Sequence, residues 1–229
     1  MKGIEEMTNY PKLFIFDLDG VITDTAEYHY LAWKQLAESL GVTIDRHFNE
    51  KLKGISRMDS LEKILALKPE LLTMSMEEKE QLATQKNAYY KTLINQITPR
   101  DILPGIEQLL RKIQERNIKI SLGSASKNAP VVIERLGLTN YFDYMVDAAK
   151  VKRGKPDPET FIVAADYFGF AYADCIGVED SAAGIEAINQ AGMFSVGIGN
   201  SEHLHDADYL VSDTGQLNLD NIIKKFESK

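Results

Sequence analysis

From about residue 102 onward, short apolar runs alternate with segments of helical period, and this alternation limits the possible folds more than any other feature of the chain. Ile106, Leu109, Leu110 and Ile113 keep helical spacing, and "IKISLGS" (118–124) then reads as a strand. A helix over about 127–136 closes at Gly137, and "YMV" (144–146) is the next strand. "PETFIVAADYFG" reads as a helix with Asp157 as its cap and Pro158 in its first turn. The strand "CIGV" (175–178), a helix over 181–191 closed by Gly192, and the strands "FSVGIG" (194–199) and "YLV" (209–211) follow. A last helix runs to about 226, and upstream "KLFIF" (12–16) is a buried strand. Strands alternating with helices predict a parallel sheet covered on both faces.

Residues 26 to about 98 break the rhythm. Trp33, Leu36, Ala37 and Leu40 form one helical stripe that stops at Gly41. Ser56 suits the cap of a segment carrying Leu61 and Leu65. "SMEE" has the capping-box form, Ser75 with Glu78, and opens a helix through Tyr89 and Leu93. No strand pattern occurs here, so the block reads as a helical insertion. The expected organisation is an α/β core of residues 1–24 and 99–229, Rossmann-like, with an all-helical cap over 25–98. The crossings near 21–26 and 95–104 are candidate hinges, and residues before Pro11 read as a polar tail.

The 229 residues carry a formal net charge of -8, which argues against nucleic acid or an anionic membrane as a partner. An anionic small substrate stays open, because a metal and a few cations reverse the field inside a cleft. One cysteine, Cys175, excludes an intrachain disulfide, and a reducing compartment follows. The start shows no signal peptide or membrane span, so the expected location is the cytoplasm.

The strand ends carry the chemistry. Asp17 and Asp19 follow the first strand, Ser124 the second, and Glu179 and Asp180 the strand 175–178, while Lys155 precedes the helix opened near Asp157. In a parallel sheet these ends share one edge. Several carboxylates gathered there repel unless a cation is present. Hard oxygen ligands without a His or Cys cluster suit Mg²⁺ better than zinc. Mg²⁺ beside a lysine and a hydroxyl suggests a phosphoryl group. Asp17, nearest the strand, is then the candidate nucleophile, and Asp19 the general acid/base. Singly, each feature has a plainer reading. An isolated DxD caps a turn, a lone lysine is solvated, a loop serine bonds backbone, and Asp180 or Ser181 caps a helix. Together they point to one site.

"LFIFDLDGVITDT", "SLGSASKN", "GKPDPETF" and "CIGVEDSAAG" resemble the four motifs of the haloacid dehalogenase superfamily of phosphotransferases, in order. That resemblance implies a Rossmann-like core with central strand order 5-4-1-2-3 and a helical cap inserted after the first strand. Within the superfamily, "DTAEYHYLAW", "FNEKLKGISRMDSLEKIL", "QKNAYY" and "GSASKNAP" resemble the β-phosphoglucomutase family. The match is looser over about 66–84.

By position, the resemblance implies that Asp17 accepts phosphate and Asp19 is the acid/base. It implies that Asp17, the Asp19 backbone carbonyl, Glu179 and Asp180 hold Mg²⁺, and that Ser124 and Lys155 bind the transferring phosphoryl group. Arg57 would hold the unreacting phosphate with Ser126, Lys127 and Asn128. Thr25, His29, Lys53, Gly54, Ile55 and Lys86 would link cap closure to the sugar and to Asp19. The implied reaction interconverts β-D-glucose 1-phosphate and β-D-glucose 6-phosphate through an aspartyl-phosphate and the 1,6-bisphosphate, in a monomer.

A mutase needs two anion sites, and the planar fork of Arg57 suits the remote one. Lys53 and Arg57 stand four apart and would share a face if their segment were helical, as would Thr25 and His29. An isolated basic pair of this kind is more simply a solvated face. His29 read alone is equally a half-buried histidine bonded to backbone. A phosphatase of the same fold and a non-catalytic sugar-phosphate sensor are the alternatives.

Overall fold

The computed structural model describes residues 10–229, so the tail expected before Pro11 lies, apart from Tyr10, outside the described residues. Its strands are β1 (Leu13–Phe16), β2 (Lys119–Leu122), β3 (Tyr144–Met145), β4 (Cys175–Glu179), β5 (Phe194–Ile198) and β6 (Tyr209–Val211). They form one six-stranded sheet in the order β3-β2-β1-β4-β5-β6, with every pairing parallel. The order implied by the resemblance sits inside it, and β6 extends one edge. All four residues of β1 are buried, as a central strand covered on both faces requires.

Alternation along β1 explains the two faces. Phe14 and Phe16 join the core formed with α5 (Ile106–Glu115), α6 (Ala129–Arg135) and α9 (Leu219–Glu227). Leu13 and Ile15 point the other way, toward α7 (Glu159–Phe168) and α8 (Ala182–Gln190).

Between β1 and α5 lie α1 (Ala26–Ser39), α2 (Arg46–Glu50), α3 (Arg57–Leu65) and α4 (Met76–Ile94), with no strand among the described residues of this stretch. Tyr30, Trp33, Leu36, Leu61, Ile64 and Leu65 form a core of their own there. Ser75 and Glu78 make the reciprocal capping box that opens α4. The two chain crossings are tied to each other: Leu103 N–H donates to the Ile22 carbonyl at 3.0 Å, and the Thr23 hydroxyl to the Asp101 carbonyl at 2.7 Å.

Two local expectations change. α7 begins at Glu159 with Pro158 in the cap position, one residue later than expected, and Asp157 instead accepts the Glu159 N–H at 3.0 Å. The segment of Lys53 is a turn, with Gly54 at φ +72°, and Arg57 is the first residue of α3, so no shared helical face relates the two. Ser56 ends the turn because its hydroxyl caps α3 by accepting the Asp59 N–H.

Phe14 is fully buried at the middle of the central strand, and truncating such a side chain leaves a cavity. Phe14→Ala should lower the unfolding free energy by about 3–5 kcal/mol, read from urea titration. A loss below about 1 kcal/mol would contradict the packing described.

Candidate active site

The register of the sheet sets the site. Phe16 pairs with Leu122 on one side and Val178 on the other, so the residues that follow emerge together. The Asp17 N–H still donates to the Val178 carbonyl at 3.0 Å, and the Gly123 N–H to the Phe16 carbonyl at 2.7 Å. These bonds carry the ladder one residue past the strands and aim Asp17, Ser124 and Glu179 at one point.

Lys155 reaches that point from the loop before α7. Its fully buried ammonium donates to Asp17 Oδ1 at 2.7 Å and also to Glu179 Oε1. The second Glu179 oxygen accepts from the N–H groups of Asp180 and Ser181, both at 3.0 Å, and from the Ser181 hydroxyl at 2.9 Å. That hydroxyl in turn caps α8. Burial works to lower the Lys155 pKa, but Asp17 and Glu179 overcome it and hold the ammonium charged.

One cation does not balance the acids. Burial pushes the Asp17 carboxyl up to about 6 despite Lys155, and raises Asp180 well above the ordinary range, with Glu179 and Asp17 adding repulsion. Burial and the neighbouring Asp17 charge push Asp19 up to about 8. One oxygen each from Asp17, Glu179 and Asp180 lie within 4.8 Å of one another. Three hard oxygen donors, still short of positive charge and without a His or Cys ligand, fit a divalent cation. Gly20 makes this cluster possible. It sits at φ +73°, and a Cβ there would lie 2.1 Å from Asp180 Oδ2.

Above the cluster opens a cleft of about 660 Å³ between the core and the helical block, within the usual range for small-molecule sites. Asp17, Asp19, Ser124, Ser126, Lys127, Asn128 and Asp180 line it from the core, and His29, Lys53, Gly54, Ile55, Arg57 and Lys86 from the helical block. Lys155, Glu179 and Thr25 are buried behind its wall. Ser124 Oγ accepts the Ser126 N–H at 3.1 Å and Ser126 Oγ the Asn128 N–H at 3.3 Å, which shapes the loop ahead of α6.

The helical wall is basic. The Arg57 side chain makes no hydrogen bond or ion pair among the described residues, and burial lowers its pKa. Lys86 contacts His29 Nδ1 at 2.9 Å, and His29 Nε2 stands 3.9 Å from Asp19 Oδ2. Burial lowers the pKa of both, Lys86 to about 7. Lys53 lies 3.8 Å from Asp180 Oδ2, and Gly54 packs so closely that a Cβ would meet Ser181 Oγ at 2.6 Å.

Sequence reasoning passed over Asn87 and read Trp33 only as core. Both line the cleft, and Asn87 Oδ1 accepts from Asn128 Nδ2 at 2.8 Å, a direct bond from helical block to core. For Asn87 the signals were its place beside Lys86 and inside the resembling stretch "QKNAYY", neither of which gave it a role. Trp33 stands four residues after His29, so the apolar stripe and the cleft wall overlap on α1.

A Cβ at Gly20 must displace the Asp180 carboxylate. Gly20→Ala should weaken binding of a divalent cation by about 10- to 100-fold in calorimetric titration, the usual effect of disturbing the support of a metal ligand. Unchanged affinity would contradict the placement of Asp180. A second expectation concerns pH. With Asp19 raised to about 8, the folded, metal-free protein holds that proton more tightly than the unfolded chain does. The associated stability is complete below about pH 4 and is lost as pH rises through about 8. Asp17 and Asp180 slope the same way and His29 and Lys86 the opposite way, so the effect is read as the difference between wild type and Asp19→Asn, which carries Asp19 together with its coupling to these neighbours. Unfolding free energy of the metal-free wild type should fall more steeply between pH 4 and 8 than that of the variant; parallel curves would contradict it.

The haloacid dehalogenase-like hydrolase family model matches residues 11–192. The chain is 47% identical over 216 residues to the β-phosphoglucomutase of Bacillus subtilis, covering 94% of this chain and 96% of that protein. A crystal structure of β-phosphoglucomutase from Clostridium difficile superposes with a TM-score of 0.93 at 52% identity, over 95% of this chain and 98% of that one. The fructose-1-phosphate phosphatase of Escherichia coli is 31% identical over 80% of this chain and 94% of its own length. With its parallel sheet, its strand-end carboxylates and a match over most of its length, the chain belongs to the haloacid dehalogenase-like hydrolase family.

Proposed function

We propose that the protein is a Mg²⁺-dependent phosphomutase that interconverts β-D-glucose 1-phosphate and β-D-glucose 6-phosphate. One observation carries the reading. Cations stand at two separate places about the cleft: Lys155, behind its wall and paired with Asp17 and Glu179, and Arg57, free of any acid partner among the described residues, on the helical wall. A hydrolase needs the first; moving phosphate between two ends of one sugar uses both. The likeness to two β-phosphoglucomutases supports the same choice.

Asp17, the Asp19 backbone carbonyl, Glu179 and Asp180 would hold the Mg²⁺. When bound, the ion supplies positive charge that offsets the oxygens of the transferring group. Lys155 and Ser124 position the phosphoryl group beside Asp17, while Arg57, Ser126, Lys127 and Asn128 grip the phosphate at the other end. Residues 25–98 act as the cap, with Thr25, Lys53, Gly54, Ile55, His29 and Lys86 joining its closure to the sugar and Asp19. Phosphorylated Asp17 transfers its phosphoryl group to a sugar hydroxyl, and Asp19 takes the hydroxyl proton. After the bisphosphate turns end for end, the Asp17 carboxylate attacks the other phosphorus and Asp19 returns the proton to the departing sugar oxygen. Burial and the Asp17 charge raise Asp19 to about 8 in the metal-free protein, toward the range in which one carboxyl both takes up and returns a proton near neutral pH. Closure of the cap keeps water from the aspartyl-phosphate.

The test supplies β-glucose 1-phosphate, Mg²⁺ and a trace of β-glucose 1,6-bisphosphate, and measures glucose 6-phosphate beside inorganic phosphate. Glucose 6-phosphate should form with little phosphate release. Rapid phosphate release without isomerisation would replace this reading with that of a sugar phosphatase. Asp19→Ala should bind Mg²⁺ as wild type does, because its proposed contact is backbone, while turnover falls by about 10²- to 10⁴-fold. Near-normal turnover would refute the acid/base role.

A further inference from the structure

Lys86 poses a problem that its assigned neighbours do not solve. Its ammonium is buried, and no carboxylate lies within ion-pair distance of it among the described residues. Burial of an unpaired cation is costly. Its one hydrogen-bond partner is His29 Nδ1 at 2.9 Å. Two aromatic faces make up the surroundings: Lys86 Nζ stands 4.5 Å from the Trp33 ring centroid and 4.7 Å from that of Tyr90. Both distances fall within the range of cation–π attraction, and Trp33 and Tyr90 are themselves buried.

The arrangement follows from helical spacing. His29 and Trp33 are four apart on α1, and Lys86 and Tyr90 are four apart on α4, so two side-chain pairs face each other and close a box. The Tyr90 ring also lies against the His29 ring, centroids 4.1 Å apart and tilted by 36°. The Tyr90 hydroxyl is buried near Thr25 and Ser126, away from Lys86, and it is the ring face that the box uses.

We infer that Trp33 and Tyr90 are positioning residues: their ring faces hold the Lys86 ammonium against His29 Nδ1 and thereby keep the His29 Nε2–H directed at Asp19. The protonated Lys86, present below about pH 7, has no lone pair to accept with, so Nδ1 accepts and the neutral ring carries its proton on Nε2. Nε2 has no hydrogen-bond partner among the described residues and faces Asp19 Oδ2 at 3.9 Å. The two rings thus act on Asp19 through Lys86 and His29 without touching substrate. This rests on the phosphomutase reading for its turnover assay alone.

Trp33 is the single tryptophan of the chain, so biosynthetic incorporation of mono-, di-, tri- and tetrafluorotryptophan alters the face charge at this one position with little change of shape. Turnover should fall stepwise with each fluorine, by about 2- to 30-fold in total, the range equivalent to losing one cation–π contact. The melting temperature should fall by no more than a few degrees across the series, so the protein stays folded throughout. Turnover independent of fluorination would overturn the inference. A second arm reads the His29 ring by ¹⁵N NMR, which needs no assumption about the reaction. The protonated nitrogen should be Nε2 in wild type, with the preference reduced in Tyr90→Leu and recovered in Tyr90→Phe. An unaltered tautomer in a folded Tyr90→Leu, or equal loss in Tyr90→Phe, would overturn it. Were the wild type to lack mutase turnover, the functional reading would fail while the NMR series still decided the positioning role.

Discussion

The Lys155 ammonium between Asp17 and Glu179 is the interaction on which the rest of this structure depends. Two neighbouring parallel strands, β1 and β4, end side by side and deliver their carboxylates to one small volume. Without a buried cation the acids would have to separate or take up protons. Lys155 arrives from outside the sheet, is fully buried, and ties the loop before α7 to both β1 and β4. It also leaves the cluster short of positive charge, which turns a packing solution into a place for a metal and an anion. Removing Lys155 would therefore disturb fold and chemistry together, because breaking a buried pair leaves charge uncompensated.

The helical block supplies what the sheet lacks. The sheet edge is acidic, while the facing wall carries Lys53, Arg57 and Lys86. Opposite signs across a cleft draw the two halves together and reserve the space between for a ligand with charge at both ends. Close approach needs special residues, and Gly54 against Ser181 is one of them. The crossings hydrogen-bond to each other at Thr23 and Asp101, and at Ile22 and Leu103, so any change of angle between the halves would bend both together.

How much of this was legible in the sequence depended on whether period or distance carried the information. The sheet was legible because buried parallel strands are continuous apolar runs, and "KLFIF" and "CIGV" are plain examples. The core of the site was legible because strand ends gather at one edge, so Asp17, Ser124 and Glu179 could be placed without coordinates. Lys155 was legible as a candidate, but that it bridges two carboxylates was not, since no pattern sets the direction of a loop side chain. Lys53 and Arg57 both line the cleft, but not by helical spacing: Gly54 and the Ser56 cap interpose a turn where a helix would have aligned them. The box around Lys86 was hidden for a related reason. Trp33 belongs to an apolar stripe, and nothing in one sequence says that part of such a stripe faces a cleft.

The central claim is that Asp17, primed by Lys155 and a divalent cation, becomes transiently phosphorylated. Its most direct test is to mix the protein with Mg²⁺ and β-glucose 1,6-bisphosphate, quench in acid, reduce the acyl phosphate with borohydride and locate the modified residue by peptide mass spectrometry. The account predicts reduction of residue 17 to homoserine, and of no other carboxylate. Full turnover with residue 17 unreduced, or with the modification on a different side chain, would contradict it.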